Sequence, residues 1–385
     1  MRGRLSRSVF RSLPTLTALM LLGSTTLHAQ TPYGWINNGH NSAYTLMPGE
    51  VELGGNLLRV NDTLDIFDFQ ADLLATTTRL GGDSGYLDGN NVSIRAGILE
   101  GLDVFYRRQQ QGLKLEINQS AQFNIEDLSN ELDTTSTSYG LRWVLFESNT
   151  KNPQQAWRSA AIELSAMENT SKDFEGRIQF IELNSNFNVR FDPPQRFAMD
   201  RLKDDGWKAK LIVSTPLTTY TTASGWFSYA DMTASSGTSS EIDVDFLRAA
   251  FLQTFDSREK QLAAGFNLNW QRFPRMPVQA GYEYIRLFDR TQDIVTSDSS
   301  FLPSFLRGSN RGQEINNNHS AYLNISYWVT PNAYIGLGGR LFLNQFTGFI
   351  PHYFNPLSGR FSDTAYGYAE LKLGVRFNPL SLFRD

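Results

Sequence analysis

The sequence contains no cysteine and only four histidines. Without cysteine the chain has no disulfide bonds, thiolate–metal centres or cysteine nucleophiles. Beyond the first 29 residues no run of roughly 18 apolar residues occurs, so the sequence predicts no transmembrane helix. The formal net charge is −4, and the basic residues form no patch suited to nucleic acid.

The N-terminal segment has the pattern of a secretory signal peptide. A basic region, an apolar stretch and a cleavage site follow one another as Arg2, Arg4, Arg7 and Arg11, then Leu13–Leu22, then Leu27-His28-Ala29. The apolar stretch is too short to span a bilayer. We therefore predict that residues 1–29 are removed and that the mature chain begins at Gln30. Export without any cysteine points to a bacterial protein.

The composition of the whole chain combines a polar average with many aromatic residues. Mean hydropathy is −0.34, yet aromatic residues make up 13% and charged residues only 19%. Strands of a transmembrane β-barrel alternate between lipid-facing apolar and lumen-facing polar residues. Such strands give a near-polar average although one face of the sheet is apolar.

Apolar and polar residues alternate with period two along most of the chain, as expected for two-faced strands. The clearest segments are Gln261–Arg272, Ala321–Val329, Ala333–Phe346 and Tyr366–Phe377. Weaker alternation occurs further upstream, including one run from Ile181 to Phe191. We predict an all-β, antiparallel, up-and-down transmembrane barrel of about 14 strands, within a range of 12–16. The barrel is expected to span residues 50–378, after an N-terminal segment 30–49 and before a tail 379–385.

The connections near the C-terminus alternate in length. Thr347–Ser362 and Asp289–Asn318 are long, whereas Thr330–Asn332 and Pro274–Met276 are short. Outer-membrane barrels have short periplasmic turns and long extracellular loops. If the last strand runs towards the periplasm, the two short connections lie on the periplasmic side and the two long ones on the extracellular side, as this rule requires. The segment Asp192–Gly206 breaks the rule, because it reads as a long connection where a short turn is expected.

The end of the last predicted strand carries a short motif. Lys372, Gly374 and Phe377 resemble the C-terminal assembly signal of Gram-negative outer-membrane β-barrel proteins, although Asn378–Asp385 follow the final aromatic residue. The resemblance implies an outer-membrane location, recognition by the barrel-assembly machinery, and contact with outer-membrane lipids and lipopolysaccharide.

Parity along the strands predicts which charged side chains line the lumen, where they would set ion preference. The pore-lining candidates are Arg142, Glu163, Arg190, Arg340, Glu370, Lys372 and Arg376, whose mixed signs argue against a strongly selective ring. Phe301, Leu302, Phe305 and Leu306 form an apolar patch inside a long polar loop and are candidates for a gate. The Gly- and Asn-rich segment Gln30–Gly49 is a candidate plug of the lumen.

The sequence offers no convincing arrangement of catalytic residues. His319 and Ser320 are neighbours, which point to opposite faces of a strand. Asp204–Asp205 and Asp243/Asp245 are carboxylate pairs of the kind common at barrel ends, and no HExxH or GxSxG motif occurs. We therefore predict no enzyme activity, no cofactor and no metal. Passage of small solutes is the first functional hypothesis. A closed-lumen structural or surface-interaction protein, and less favourably a barrel hydrolase, are the alternatives.

Overall fold

The computed structural model describes residues 41–59, 85–115, 123–126, 132–148, 158–184, 187–240, 254–295, 317–343 and 366–379. These residues form fourteen strands: β1 Val51–Arg59, β2 Gly85–Leu99, β3 Leu102–Leu115, β4 Phe123–Glu126, β5 Leu132–Ser148, β6 Arg158–Ser171, β7 Phe174–Asn184, β8 Phe187–Thr218, β9 Thr221–Ser240, β10 Thr254–Trp270, β11 Val278–Val295, β12 Asn317–Thr330, β13 Ala333–Leu343 and β14 Tyr366–Phe377. Within the described ranges no helix has the length and apolar character needed to cross a membrane.

Twelve of these strands close into an antiparallel barrel. Neighbours in the chain pair with one another from β8 through β14, β14 pairs with β1, and β1, β2, β3, β5, β6 and β8 complete the ring. The closing contact places Val51 opposite Phe377. Because a closed ring has no free edge, every strand finds a backbone partner on both sides. The predicted fold class is confirmed, with the ring at the lower end of the expected strand count.

The other two strands extend one wall beyond the ring. β7 continues β6 after Lys172 and Asp173, and both pair with the long strand β8. Short β4 pairs with the free side of β7. In this extension Arg196 donates a 2.7 Å hydrogen bond to Glu175, which lowers the pKa of the Glu175 carboxyl.

Two sequence-based assignments in this region were wrong. The run Ile181–Phe191 is not one strand, because the chain reverses between Asn184 at the end of β7 and Phe187 at the start of β8. The segment Asp192–Gly206 is not a connection but part of β8. Its Pro193 and Pro194 lie at a register shift between β7 and β8, where the ladder needs no backbone N–H from them.

The two ends of the barrel differ in the length of their connections. At the end where β1 begins and β14 finishes, every connection has nine residues or fewer: 100–101, 149–157, 219–220, 271–277 and 331–332. The connections at the other end are longer. The predicted loop Asp289–Asn318 is shorter than expected, because β11 continues to Val295 and β12 begins at Asn317. The loop Thr347–Ser362 lies outside the described residues.

Side chains alternate between an apolar exterior and a polar interior. On β10, Phe266 and Leu268 are exposed on the outside, while Asn267 between them is fully buried inside. The same alternation on β5 exposes Leu141 and Trp143 and buries Arg142. Exposed large apolar residues occur in this way on strands β1 to β3, β5, β6, β8 to β10 and β12 to β14. Such a surface is stable against lipid hydrocarbon, where a closed barrel also satisfies its backbone polar groups internally.

Candidate functional site: the barrel interior

A stretch of chain ahead of β1 crosses the inside of the barrel. Ser42, Ala43, Tyr44 and Leu46 are all buried. The backbone at Met47–Glu50 is hydrogen-bonded to β2 through Gly97, near the end with the short turns. Gly97 permits this approach, because a Cβ there would overlap the Met47 carbonyl. The crossing segment, defined as residues 41–48, thus ends at the β2 wall.

Hydrogen bonds from several strands hold the crossing segment. On one side, Leu46 N donates to Asp103 Oδ1 of β3 at 2.9 Å, and Arg95 Nη2 of β2 donates to the Tyr44 carbonyl at 2.9 Å. Burial, together with the Glu147 carboxylate, raises the pKa of the Tyr44 hydroxyl.

The other half of the segment is bound by β6, β8 and β10. Ala43 N donates to Ser214 Oγ at 2.9 Å, and Ser159 Oγ donates to the Ala43 carbonyl at 3.3 Å. Asn41 is contacted by Lys210 Nζ, and its carbonyl accepts a 3.2 Å hydrogen bond from Asn267. Since β2 and β10 lie opposite one another in the ring, the segment spans the interior from wall to wall.

Ion pairs line the wall beside this segment. Arg142 on β5 and Glu163 on β6 form two hydrogen bonds, of 3.1 and 2.6 Å, and are 1% and 5% exposed. Arg95 Nε lies 2.7 Å from Asp103 Oδ2. Arg376 on β14 pairs with Glu52 on β1, and its Nε lies 3.8 Å from Glu50. Buried charges of this kind need a partner, because desolvation of a single ion costs several kcal/mol.

A second group of polar side chains lies on β9 to β14. Glu283 accepts a 2.9 Å hydrogen bond from Arg340 and a 3.2 Å bond from the Trp226 indole N–H. Lys372 Nζ lies 2.6 Å from Glu370 Oε1 and donates to Asn324 Oδ1 at 2.9 Å. These side chains give the interior a hydrogen-bonded polar lining, beside a small apolar cluster formed by Ala43, Ala161, Ile212 and Trp226.

The structure brings six of the seven pore-lining candidates to the interior face. Arg142, Glu163, Arg340, Glu370, Lys372 and Arg376 are all inward and ion-paired. The exception is Arg190, which is exposed on the part of β8 that pairs with β7, outside the ring. Its position in the alternating run predicted the wrong face, because that run contains the reversal of the chain between β7 and β8. The role of the inward six in conduction stays a prediction.

Several inward charged residues were missed by the sequence interpretation. They are Glu52, Arg95, Asp103, Arg107, Lys208, Lys210 and Glu283. They lie on β1, β2, β3, β8 and β11, where the alternation of side chains between two faces also holds, so the same rule applied to every strand would have found them.

The other predicted residues have varied outcomes. Phe301, Leu302, Phe305 and Leu306 lie outside the described residues, as do His40 and the part of the predicted plug before Asn41. The motif residues Lys372, Gly374 and Phe377 all lie on β14, where the Tyr334 ring covers the position that a Cβ on Gly374 would take. Their role in assembly stays a prediction.

The catalytic candidates do not converge. His319 faces outward beside Tyr284, with ring centroids 5.1 Å apart, whereas Ser320 faces inward and is buried. Asp204 is buried inside the barrel, and its neighbour Asp205 is exposed outside. Asp243 and Asp245 lie outside the described residues. Across the described part of the chain no group of three or more His, Cys, Asp or Glu residues could hold a metal ion.

A closed antiparallel ring with an apolar exterior and a polar interior defines the class of transmembrane β-barrels. No family model matches the chain, and no curated protein matches its sequence. Solved structures of similar fold include the translocator domain of the autotransporter NalP from Neisseria meningitidis, with 9% identity over 95% of each chain and a TM-score of 0.44. The toluene transporter TbuX of Ralstonia pickettii has 9% identity over 90% of this chain and 93% of its own, with a TM-score of 0.45. A FadL homologue of Pseudomonas aeruginosa has 8% identity over 86% and 90%, with a TM-score of 0.41. At these identities and TM-scores, the likeness carries no information on substrate.

Proposed function

We propose that this protein is a bacterial outer-membrane channel for small solutes. The observation that supports the proposal is the enclosed polar interior. Charged side chains of ten of the twelve ring strands point into it, away from the exposed apolar surface. Charged and polar linings set the field for solutes that leave bulk water. Twelve strands also place the barrel between eight-stranded barrels filled by side chains and the larger porins with an aqueous lumen.

The exterior fits the proposed location. Trp207, Tyr229 and Phe288 form an aromatic group, with ring centroids 5.4 and 6.2 Å apart, towards the end with the long connections. Exposed Arg286 lies next to it on β11. Aromatic rings are favourable at the membrane–water interface, and an exposed guanidinium there suits the anionic headgroups of lipopolysaccharide.

A closed lumen is the second candidate, because of the crossing segment. Residues 41–48 span the interior and are held by hydrogen bonds from at least five strands. A segment anchored in this way narrows any passage. In the closed-lumen case the long connections would act as a binding surface, and no solute would cross.

Single-channel conductance in planar bilayers tests the proposal. We would compare the refolded mature chain with a variant that lacks residues 41–48, with heat-shifted gel mobility as the folding control for both. Stable current steps from the mature chain, or larger steps from the deletion variant, support a channel. Two folded, heat-modifiable barrels that both fail to conduct would refute it and favour the closed-lumen alternative.

A further inference from the structure

The cations of the interior outnumber the acids available to pair with them around the middle of the barrel. Five inward cations have an acidic partner: Arg95, Arg142, Arg340, Lys372 and Arg376. Three others, Arg107, Lys208 and Lys210, form no ion pair within 4 Å in the described part of the chain. This surplus arises in a protein whose total formal charge is −4, so it is local and not a general property of the sequence.

Strand register brings the three surplus cations to nearly the same height in the barrel wall. Lys210 is paired with Glu163, and Lys208 with Ser165, across β6 and β8. Arg107 on β3 is paired with Ser138 on β5, two residues from the level of Lys208.

Glu163, already bound by Arg142, also interacts electrostatically with Lys210 and Arg107. Glu283, already bound by Arg340, interacts with Lys208 and Lys210. Two carboxylates are thus shared among five cations from strands β3, β5, β8 and β13. Like charges held together away from bulk water repel one another unless an anion joins them.

Arg107 and Lys208 are available for a ligand. The Arg107 guanidinium lies over the Phe105 ring, 4.5 Å from its centroid, and Lys208 takes part in no hydrogen bond within the described residues. Lys210 is anchored on one side by Asn41 and lies 5.2 Å from the Trp226 ring centroid. The site therefore lies directly against the crossing segment.

The remaining interior acids do not neutralise this region. Asp204 and Glu259 interact with each other, and Asp204 lies four residues from Lys208 along β8, a separation of about 13 Å at the rise of an extended strand. These two carboxyl groups therefore lie closer than the three cations to the end of the barrel with the long connections.

We propose that Arg107, Lys208 and Lys210 form a binding site in the barrel interior for a small anion with two or more charged oxygens. This inference rests on the proposed channel function, because it names the class of solute that the lumen takes. The guanidinium supplies a planar pair of donors, and the two ammonium groups supply point charges. Trp226 beside Lys210 gives the site a fluorescent reporter.

Citrate binding to the refolded, detergent-solubilised protein tests the site without requiring transport. Isothermal titration would be run on the unmodified protein, on Arg107→Gln and Lys208→Gln, and on Arg286→Gln as a matched control on the outer face. We expect each interior substitution to weaken citrate binding about tenfold, since it removes one charge-assisted contact. Arg286→Gln should bind citrate like the unmodified protein.

A second measurement separates this inference from the proposed function. The reversal potential in a KCl gradient should show anion preference that falls in Arg107→Gln and Lys208→Gln. A barrel that never conducts but binds citrate with the expected pattern would refute the channel and keep the anion site. A conducting barrel that binds no citrate, or binds it equally in all four proteins, would overturn the anion site alone.

Discussion

Replacing Glu163 by glutamine removes the carboxylate that pairs with Arg142, the most buried guanidinium among the described residues. Arg142 would keep its position at 1% exposure but lose its ion pair with Glu163. Breaking a buried pair by removing one member costs about 3–5 kcal/mol, because the other charge is left without compensation. Lys210 and Arg107 also interact with this carboxylate, so we expect the loss to fall in the upper part of that range.

The free energy of unfolding in lipid vesicles is the quantity to measure, from urea titrations followed by tryptophan fluorescence. Glu175→Gln is the matched control, because its ion pair with Arg196 is exposed outside the ring and exposed pairs contribute little. We expect Glu163→Gln to be strongly destabilised and Glu175→Gln to unfold like the unmodified protein.

A double variant tests whether Glu163→Gln loses stability because the buried Arg142 charge no longer faces a carboxylate. Arg142→Met with Glu163→Leu removes both charges of the pair and fills the space with apolar atoms. We expect it to be more stable than Glu163→Gln alone. If Glu163→Gln unfolds within about 0.5 kcal/mol of the unmodified protein, a difference typical of neutral surface substitutions, the interior is hydrated enough to screen the pair and the reasoning fails.

Three further outcomes are expected. Gly97→Val should displace the crossing segment, since its side chain overlaps the Met47 carbonyl, and should raise single-channel conductance; unchanged current would show that the segment does not obstruct the lumen. Deleting Phe301–Leu306 should change conductance if this apolar patch narrows the mouth, and equal conductance would remove it as a gate. Phe377→Ala should reduce the heat-modifiable fraction in cell envelopes, because the motif ending β14 would lose its aromatic residue; normal assembly would contradict that role.

The period-two pattern was sufficient for the strands that are two-faced along their whole length. β14 has the predicted limits Tyr366–Phe377, and Arg142 and Glu163 were assigned to the interior by parity alone. These assignments succeed because consecutive side chains of a strand must point to opposite faces, and lipid imposes an apolar residue on one of them.

The period-two pattern gave wrong assignments where the chain reverses direction while apolar and polar residues continue to alternate. Ile181–Phe191 keeps period two through the reversal between β7 and β8, so Arg190 was assigned to the wrong surface. Pro193 and Pro194 resembled a loop, because proline is disfavoured in a ladder, yet they lie in a strand at a register shift.

The sequence by itself determined the all-β class, the two faces of most strands and the opposite orientation of His319 and Ser320, since each depends on local alternation. The tertiary structure decided which strands close the ring, that β6 and β7 share β8 as a partner, and that residues 41–48 cross the interior. It also decided which charges meet, as with Arg376 and Glu52, which are far apart in the chain. Closure brings the first and last strands side by side, and no local pattern records the pairing that results.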